Sequence, residues 1–417
     1  MANASELKKT GSHKRSILAH AASAQESGLA IVIVLMMIAL TVFGGSKSVT
    51  KRFEIGSGSV VVVIDSEGNE SRPGTVPQRL VSHTIVRDAD GGEREFDATW
   101  SYVEASGSRA LLTTKKANKF FEKTNLTLVA KDASFIAVMA VGMTAVIILA
   151  GIDLSVGSIY ALAGILGALA LNKLGVGASG LTAIGVGLLV CVGVGAVCGL
   201  ANGVMIVGLR VHPFVITLGM MAALRGITII IPQRVLGEQS VAGFSEAFTR
   251  GFFKKEFFGV YPVPVMFMIA VALAGWFMLT RTVLGRRVFA VGGNETAARY
   301  AGIPVGRVKI WVYLLMGMLA GLSACMALGY YGSAETGSGS AYELQVIAAA
   351  VIGGASLMGG RGSALGAVLG AIIIQLIDNA MIIFNIDQSW NRVVMGGAII
   401  VAVVIDQAKR KFSAARG

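Results

Sequence analysis

Residues 133–171 run ASFIAVMAVGMTAVIILAGIDLSVGSIYALAGILGALAL, and Asp153 is the one charged side chain among them. The stretch divides at Gly151-Ile152-Asp153 into two apolar runs, Ala133–Gly151 and Leu154–Leu171. Each is close to the roughly 20 residues that carry a helix across the hydrocarbon core of a bilayer. Backbone amides in lipid have no water to turn to, so such runs close their hydrogen bonds inside a helix. The stretch places the chain among all-α polytopic membrane proteins.

Similar runs lie on both sides. They are Gly28–Gly45, Leu181–Gly208, Pro213–Ile231, Val263–Thr280, Ile310–Tyr330, Leu344–Met358, Ala364–Phe384 and Val393–Ile405, which makes about ten transmembrane helices in all. The run at Leu344–Met358 is short, which suits a broken or tilted helix. Of the 417 residues 54% are hydrophobic and 14% charged, against about 25% charged in a soluble domain. Too few polar side chains remain to coat a soluble globule of this size. Gly is abundant at 54 residues, while Pro is scarce at 7. The glycines have no period of three, which excludes collagen, and they sit inside apolar runs, where close helix packing in lipid uses them.

The formal net charge of +12 is topological, because Lys and Arg gather in short segments between the apolar runs. No nucleic-acid partner is expected. Lys8, Lys9, Lys14 and Arg15 precede the first run, and Lys409, Arg410, Lys411 and Arg416 follow the last. Between the sixth and seventh runs lie Arg281, Arg286, Arg287, Arg299, Arg307 and Lys309. An even span count puts these three basic segments, together with Arg210 and Arg361, on one side, which is then the cytoplasmic side of the cell (inner) membrane. The expected organisation is a cytoplasmic N-terminal segment (1–27), a first transmembrane helix (28–45) kept as a signal anchor, an extracytoplasmic insert (46–127), a transmembrane core (128–408) containing a cytoplasmic loop (281–309), and a cytoplasmic tail (409–417). Within the insert, Ser59–Asp65, Arg79–Arg87 and Arg94–Glu104 are β-branched or alternating runs between Gly, Pro and Asp clusters, and Ser66-Glu67-Gly68-Asn69 has turn composition. A small β-rich unit follows, either a decoration of the membrane domain or a docking module.

Chemistry-bearing motifs are sparse. No G-x-x-x-x-G-K-[ST], H-E-x-x-H, Ser-His-Asp or Cys-His arrangement occurs, so the chain is not expected to be an enzyme or to bind ATP in the P-loop manner. Cys191, Cys198 and Cys325 lie in apolar runs without metal-ligand spacing. Charges in spans are functional candidates because each is costly there. Asp153, in Gly151-Ile152-Asp153-Leu154-Ser155, is either such a charge or the cap of the third span, supported by Ser155. Arg225 is expected to snorkel from the fifth span. Gln375, Asp378 and Asn379 either face a path or bond between helices. Small residues at four-residue spacing (Gly195, Gly199 and Gly203; Gly317 and Gly321; Gly362, Gly366 and Gly370) mark close helix approaches. In the 281–309 loop, Asn294 can cap a short helix through Arg299 and Tyr300 that ends at Gly302, with Glu295 in its favourable first turn. That helix either docks into a partner's groove or belongs to a solvated basic loop.

Several motifs together resemble one family. They are Met139-Ala140-Val141-Gly142-Met143-Thr144, Gly151-Ile152-Asp153-Leu154-Ser155-Val156-Gly157-Ser158, Ala201-Asn202-Gly203, Pro213-Phe214-Val215-Ile216-Thr217-Leu218-Gly219, Gly292-Gly293-Asn294-Glu295, Tyr342-Glu343-Leu344-Gln345 and Val351-Ile352-Gly353-Gly354. Over about residues 115–410, in order and spacing, the chain is similar to the permease subunits of bacterial ATP-binding-cassette importers of the ribose, xylose and galactose type. The resemblance implies a ten-span permease that pairs with a second copy or a related permease in the lipid bilayer. It implies cytoplasmic ATPase subunits that bind the ATP, so this chain carries no cofactor, and an extracytoplasmic sugar-binding protein. It makes Arg286, Arg287, Gly293, Asn294, Glu295, Ala298, Arg299 and Gly302 the ATPase coupling loop. Asp153, Ser155, Asn202, Gln345, Gln375, Asp378 and Asn379 are left as polar candidates for the path or for structure. The implied cargo is a monosaccharide, with branched-chain amino acids or another small solute as the alternative. A secondary carrier is disfavoured, since no acidic residue sits clearly at a midplane. The chain departs from the family at Ser46–Lys115, where the family has a short connection, and at Asp378-Asn379, where the family often has Asn-Asn.

Overall fold

A computed structural model describes residues 26–55, 60–64, 70–71, 78–79, 83–87, 93–96, 100–105, 108–257 and 261–414. The basic residues at 8–15, the turn expected at 66–69 and Arg416 lie outside the described residues. The chain forms two compact units, Thr41–Glu122 and the remainder.

The larger unit is helical. Its helices are α1 (Glu26–Phe43), α2 (Lys123–Ile148), α3 (Val156–Leu174), α4 (Gly180–Leu209), α5 (Pro213–Leu236), α6 (Pro262–Arg281), α7 (Val283–Gly293), α8 (Glu295–Tyr300), α9 (Val305–Tyr331), α10 (Tyr342–Ile352), α11 (Ala364–Ile383) and α12 (Asn391–Ala414). Among the described residues, α1–α6, α9 and α11 are long and apolar enough to cross a membrane. The apolar segments Tyr342–Ile352 and Asn391–Val401 are shorter. Together these helices account for the ten apolar runs. The eighth run does not stay helical to Met358: α10 stops at Ile352, and 353–363 is non-helical. Gly354, at φ +98°, ends the helix, and Gly359 and Gly360, at +82° and +74°, shape the turn that follows, values that only glycine adopts freely. α5 outlasts its run in the other direction, passing Pro232 and ending on Gly237 at φ +73°. Membrane helices tolerate an internal proline in this way. α2 begins at Lys123 and not at Ala133, because its polar first turns propagate a helix already nucleated by the apolar run.

Burial sorts the helices. α2 is the central one, with 94% of its apolar window buried, against 17% for α5 and 6% for α1. α4 crosses α9 on the glycine faces read from the sequence. A Cβ on Gly203 would lie 2.8 Å from Ile310 Cα, and one on Gly195 would lie 2.9 Å from the Gly317 carbonyl carbon. Of the third stripe, Gly366 and Gly370 let α11 approach the end of α10 at Gly353 and Ala349, whereas Gly362 precedes α11, which begins at Ala364, and faces Ile148 and Thr144 of α2. The three cysteines are buried and free. They act as packing side chains, with Cys191 Sγ donating to Ala163 O at 3.3 Å.

The Thr41–Glu122 unit carries strands β1 (Ser46–Ile55), β2 (Val60–Ile64), β3 (Glu70–Ser71), β4 (Gln78–Arg79), β5 (His83–Arg87), β6 (Glu93–Phe96), β7 (Trp100–Ala105) and β8 (Ser108–Asn118). They form two antiparallel four-stranded sheets, ordered β1-β8-β7-β4 and β3-β2-β5-β6. Ile55, Val61, Val86 and Leu111 form the small core. The first and last strands pair from Ser46↔Asn118 to Ile55↔Arg109. Lys119 N donates to Gly45 O at 3.1 Å, so the unit leaves and rejoins the chain at one point.

Candidate functional site

The loop between α6 and α9 is two helices joined at one extended residue. Thr282 Oγ1 caps α7 by accepting from Gly285 N at 3.1 Å. Asn294, at φ −160° and ψ 102°, ends α7 and caps α8, its Oδ1 accepting from Ala297 N at 2.9 Å. Gly302 follows at φ +76°. The sequence pointed to α8 and its caps but missed α7, which was legible in the spacing of Gly285, Val288 and Val291, the residues it buries. Glu295 ties the platform to the membrane helices, its carboxylate accepting from Arg299 on α8 and from Lys309 on α9, each at 2.9 Å. The hydrogen bond from Lys309 holds the Glu295 carboxyl below the ordinary carboxylate range, and the Arg299 guanidinium adds to the effect. Ala298 faces inward, while Arg286, Arg287, Gly293, Asn294, Arg299 and Gly302 are exposed. Tyr300 is 89% exposed and was absent from the sequence candidates. An amphipathic aromatic beside arginines is a common anchor at protein interfaces.

Gly292 seats this platform on the bundle. A Cβ there would lie 2.7 Å from the Ile148 carbonyl carbon and 2.9 Å from Gly360 N. Gly360 N in turn donates to Ile148 O at 2.8 Å. The end of α2, the glycine turn after α10 and the end of α7 therefore meet at one backbone junction.

Three of the sequence candidates meet in a second place, between α2, α3 and α4. Asp153 is fully buried. Its Oδ1 accepts from Ser155 N at 2.9 Å and from Ser155 Oγ at 2.6 Å. Asn202 Nδ2 on α4 donates to that same Oγ at 2.8 Å. Asp153 does not cap α3 as expected. Ser155 holds the cap position without a side-chain cap bond, and Asp153 closes the turn before it. Asp153 Oδ2, Asn202 Oδ1 and the Tyr313 hydroxyl are buried without a partner among the described residues. Unpaired buried polar atoms are costly, so this latch is a point of high constraint.

The remaining candidates lie on α10 and α11. Asn379 on α11 and Asn125 on α2 exchange side-chain bonds at 2.6 and 3.1 Å. Asp378 accepts from Asn391 at 2.8 Å, with Gln375 at 3.4 Å. Asn379 and Asp378 thus bond between helices, whereas Gln375 bonds within α11. Gln345 is half-buried on α10. Arg225 Nη1 donates to Thr336 O at 3.2 Å and Ser338 O at 2.8 Å, gripping the segment that follows α9.

That segment walls a cavity of about 340 Å³ between α3, the end of α9 and the start of α10. Tyr160, Tyr331 and Tyr342 line it with Ser333, Glu335 and Ser338, and the remaining lining residues are small or aliphatic. The Tyr160 and Tyr342 rings lie 5.1 Å apart at 53°. The Tyr331 hydroxyl accepts from Lys131 at 2.8 Å and donates to Asp132 at 3.1 Å. The buried Lys131 ammonium also sits 4.7 Å from the Tyr331 ring and 2.8 Å from Asp132, so its charge is spent beside the cavity.

The family described as branched-chain amino acid transport system / permease component matches residues 125–403. The ribose import permease protein RbsC of Escherichia coli (strain K12) is 38% identical over 332 residues, covering 76% of this chain and 98% of that protein. The D-allose transport system permease protein AlsC of the same organism is 40% identical, over 69% of this chain and 85% of that protein. The galactose/methyl galactoside import permease protein MglC of Haemophilus influenzae is 34% identical, over 70% and 88% respectively. No solved structure matches the chain.

Proposed function

This chain belongs to that family of transport permease components, and on that premise we propose that it is the membrane subunit of an ATP-driven monosaccharide importer. The relatives named above are permeases for ribose, allose and galactose, which favours a sugar over a branched-chain amino acid as cargo. The observation that carries the reading is the α7–α8 platform. It buries an apolar underside, presents Arg286, Arg287, Arg299 and Tyr300, and is linked through Glu295–Lys309 to the second turn of a spanning helix. A groove on a separate ATPase subunit would seat it, and closure of paired ATPases would then move α2, α7 and α9 together through the Gly292 junction, exposing a path to each side in turn. In this arrangement the platform and both termini face the cytoplasm, and residues 46–127 lie outside with a sugar-binding protein. A second permease copy or a related permease completes the pore. This chain contributes no nucleotide site.

Affinity purification of the tagged chain tests the reading. A cassette ATPase should co-purify, and Tyr300→Ala with Arg299→Ala should release it, a hot-spot pair being worth about 2–4 kcal/mol. Uptake in proteoliposomes should require ATP and survive a protonophore. Uptake driven by an ion gradient, or an ATPase that stays bound to the double variant, would refute the assignment.

A further inference from the structure

We propose that the cavity between α3, α9 and α10 is the station where the cargo is recognised during passage. It takes one neutral monosaccharide and rejects the corresponding sugar phosphate. This rests on the sugar-importer reading above and adds to it the site and its selection rule.

Four features of the cavity argue for this. Its volume of about 340 Å³ lies at the small end of the roughly 300–1,000 Å³ spanned by small-molecule sites, which suits one sugar ring and little else. Its aromatic wall is made of Tyr160, Tyr331 and Tyr342. Tyrosine rings cover the apolar C–H faces of a sugar. The polar groups are Glu335, Ser333 and Ser338. A carboxylate is an acceptor with two oxygens and no donor, matched to a pair of neighbouring hydroxyl groups. Finally, no Lys or Arg lines the cavity among the described residues, and the two cations behind its wall are held, Lys131 by Asp132 and Tyr331 and Arg225 by the Thr336 and Ser338 carbonyls. A phosphate ester would meet the Glu335 charge with no lining cation to pair with.

A thiol placed in the wall reads occupancy directly. The chain's three cysteines are all buried, so Ser338→Cys, with Ser333→Cys as a second position, supplies the reactive one. The permease and its ATPase are placed in proteoliposomes without the binding protein. They are treated with a water-soluble methanethiosulfonate while sugar is raised until its effect levels off. The neutral sugar that the complete importer accumulates should slow labelling about tenfold once it stands near nine times its dissociation constant, and its phosphate ester should not. In the same preparation without the binding protein, Glu335→Gln should raise the sugar concentration that half-protects the thiol about tenfold, the value of one charge-assisted bond. If the importer accumulates a sugar that protects neither thiol, or if Glu335→Gln leaves half-protection within twofold, the cavity is not the station while the importer reading stands. Equal protection by the phosphate ester overturns the selection rule. An importer that accumulates no monosaccharide overturns both readings.

Discussion

Gly292 and Gly293 offer a controlled perturbation of the route between the platform and the bundle. They are neighbours at the end of one helix, and both have ordinary negative φ. A methyl at 292 would lie 2.7 Å from the Ile148 carbonyl carbon and 2.9 Å from Gly360 N, both backbone atoms, whereas a methyl at 293 would meet nothing within 4 Å. No rotamer relieves a clash between backbones, so Gly292→Ala has to part α7 from α2, and overpacking of that kind costs about 1–3 kcal/mol. A change of about 2 kcal/mol moves the folded-to-unfolded ratio roughly 30-fold. Gly293→Ala only restricts the unfolded chain, which is worth at most about 1 kcal/mol in the stabilising direction. The two variants should therefore separate clearly in an equilibrium SDS titration of the purified protein in mixed micelles. Gly292→Ala should also lower the sugar moved per ATP hydrolysed, because the platform no longer moves rigidly with α2. Coincident titration curves for the two variants would refute the claim that this junction is a tight seat.

Excising residues 46–118 and joining the ends through two glycines should leave a permease that reaches the membrane and takes up sugar within about twofold of the parent, because the excised ends already pair as Ser46↔Asn118 and lie about 5 Å apart as facing residues do; uptake assays on the excised form check this. For Asp153, the Asn variant keeps an oxygen for both Ser155 donors and should preserve folding, whereas the Leu variant strands Ser155 and Asn202 in a buried site and should cost about 1–3 kcal/mol for each group left unpaired, measured by the same titration. Because Glu295 is held below its ordinary value of 4.5, its ion pairs contribute fully above that value and are lost as pH falls through the lowered one. The protection of the α8 amides, as exchange relative to the unstructured rate at each pH, should therefore be constant from neutral pH down to about 5 and fall in more acid solution, and Glu295→Gln should remove that change.

Composition and spacing alone determined the class of this protein and most of its elements. Uninterrupted apolar runs such as Ala133–Gly151 leave a helix in lipid as the only backbone solution, so the runs correspond to helices even where their ends move. The four-residue glycine spacings likewise announced α4, α9 and α11 as close-packing faces, because spacing fixes which residues share a face. The caps of α8 were legible for the same local reason: Asn294 and Gly302 act within a few bonds of their own positions. What spacing does not encode is which faces meet. Only the fold shows that Gly195 packs on Gly317, that Asn202 reaches Ser155 across 47 positions, that Arg225 reaches Thr336 and Ser338, and that three tyrosines from α3, α9 and α10 line one cavity. Those partners are far apart along the chain, and the end of α10 before Gly354 depends on a φ value that an apolar run does not reveal. A one-dimensional pattern specifies local periodicity and capping, while long-range pairing is chosen by the packing of the whole bundle, and the cavity belongs to that second kind.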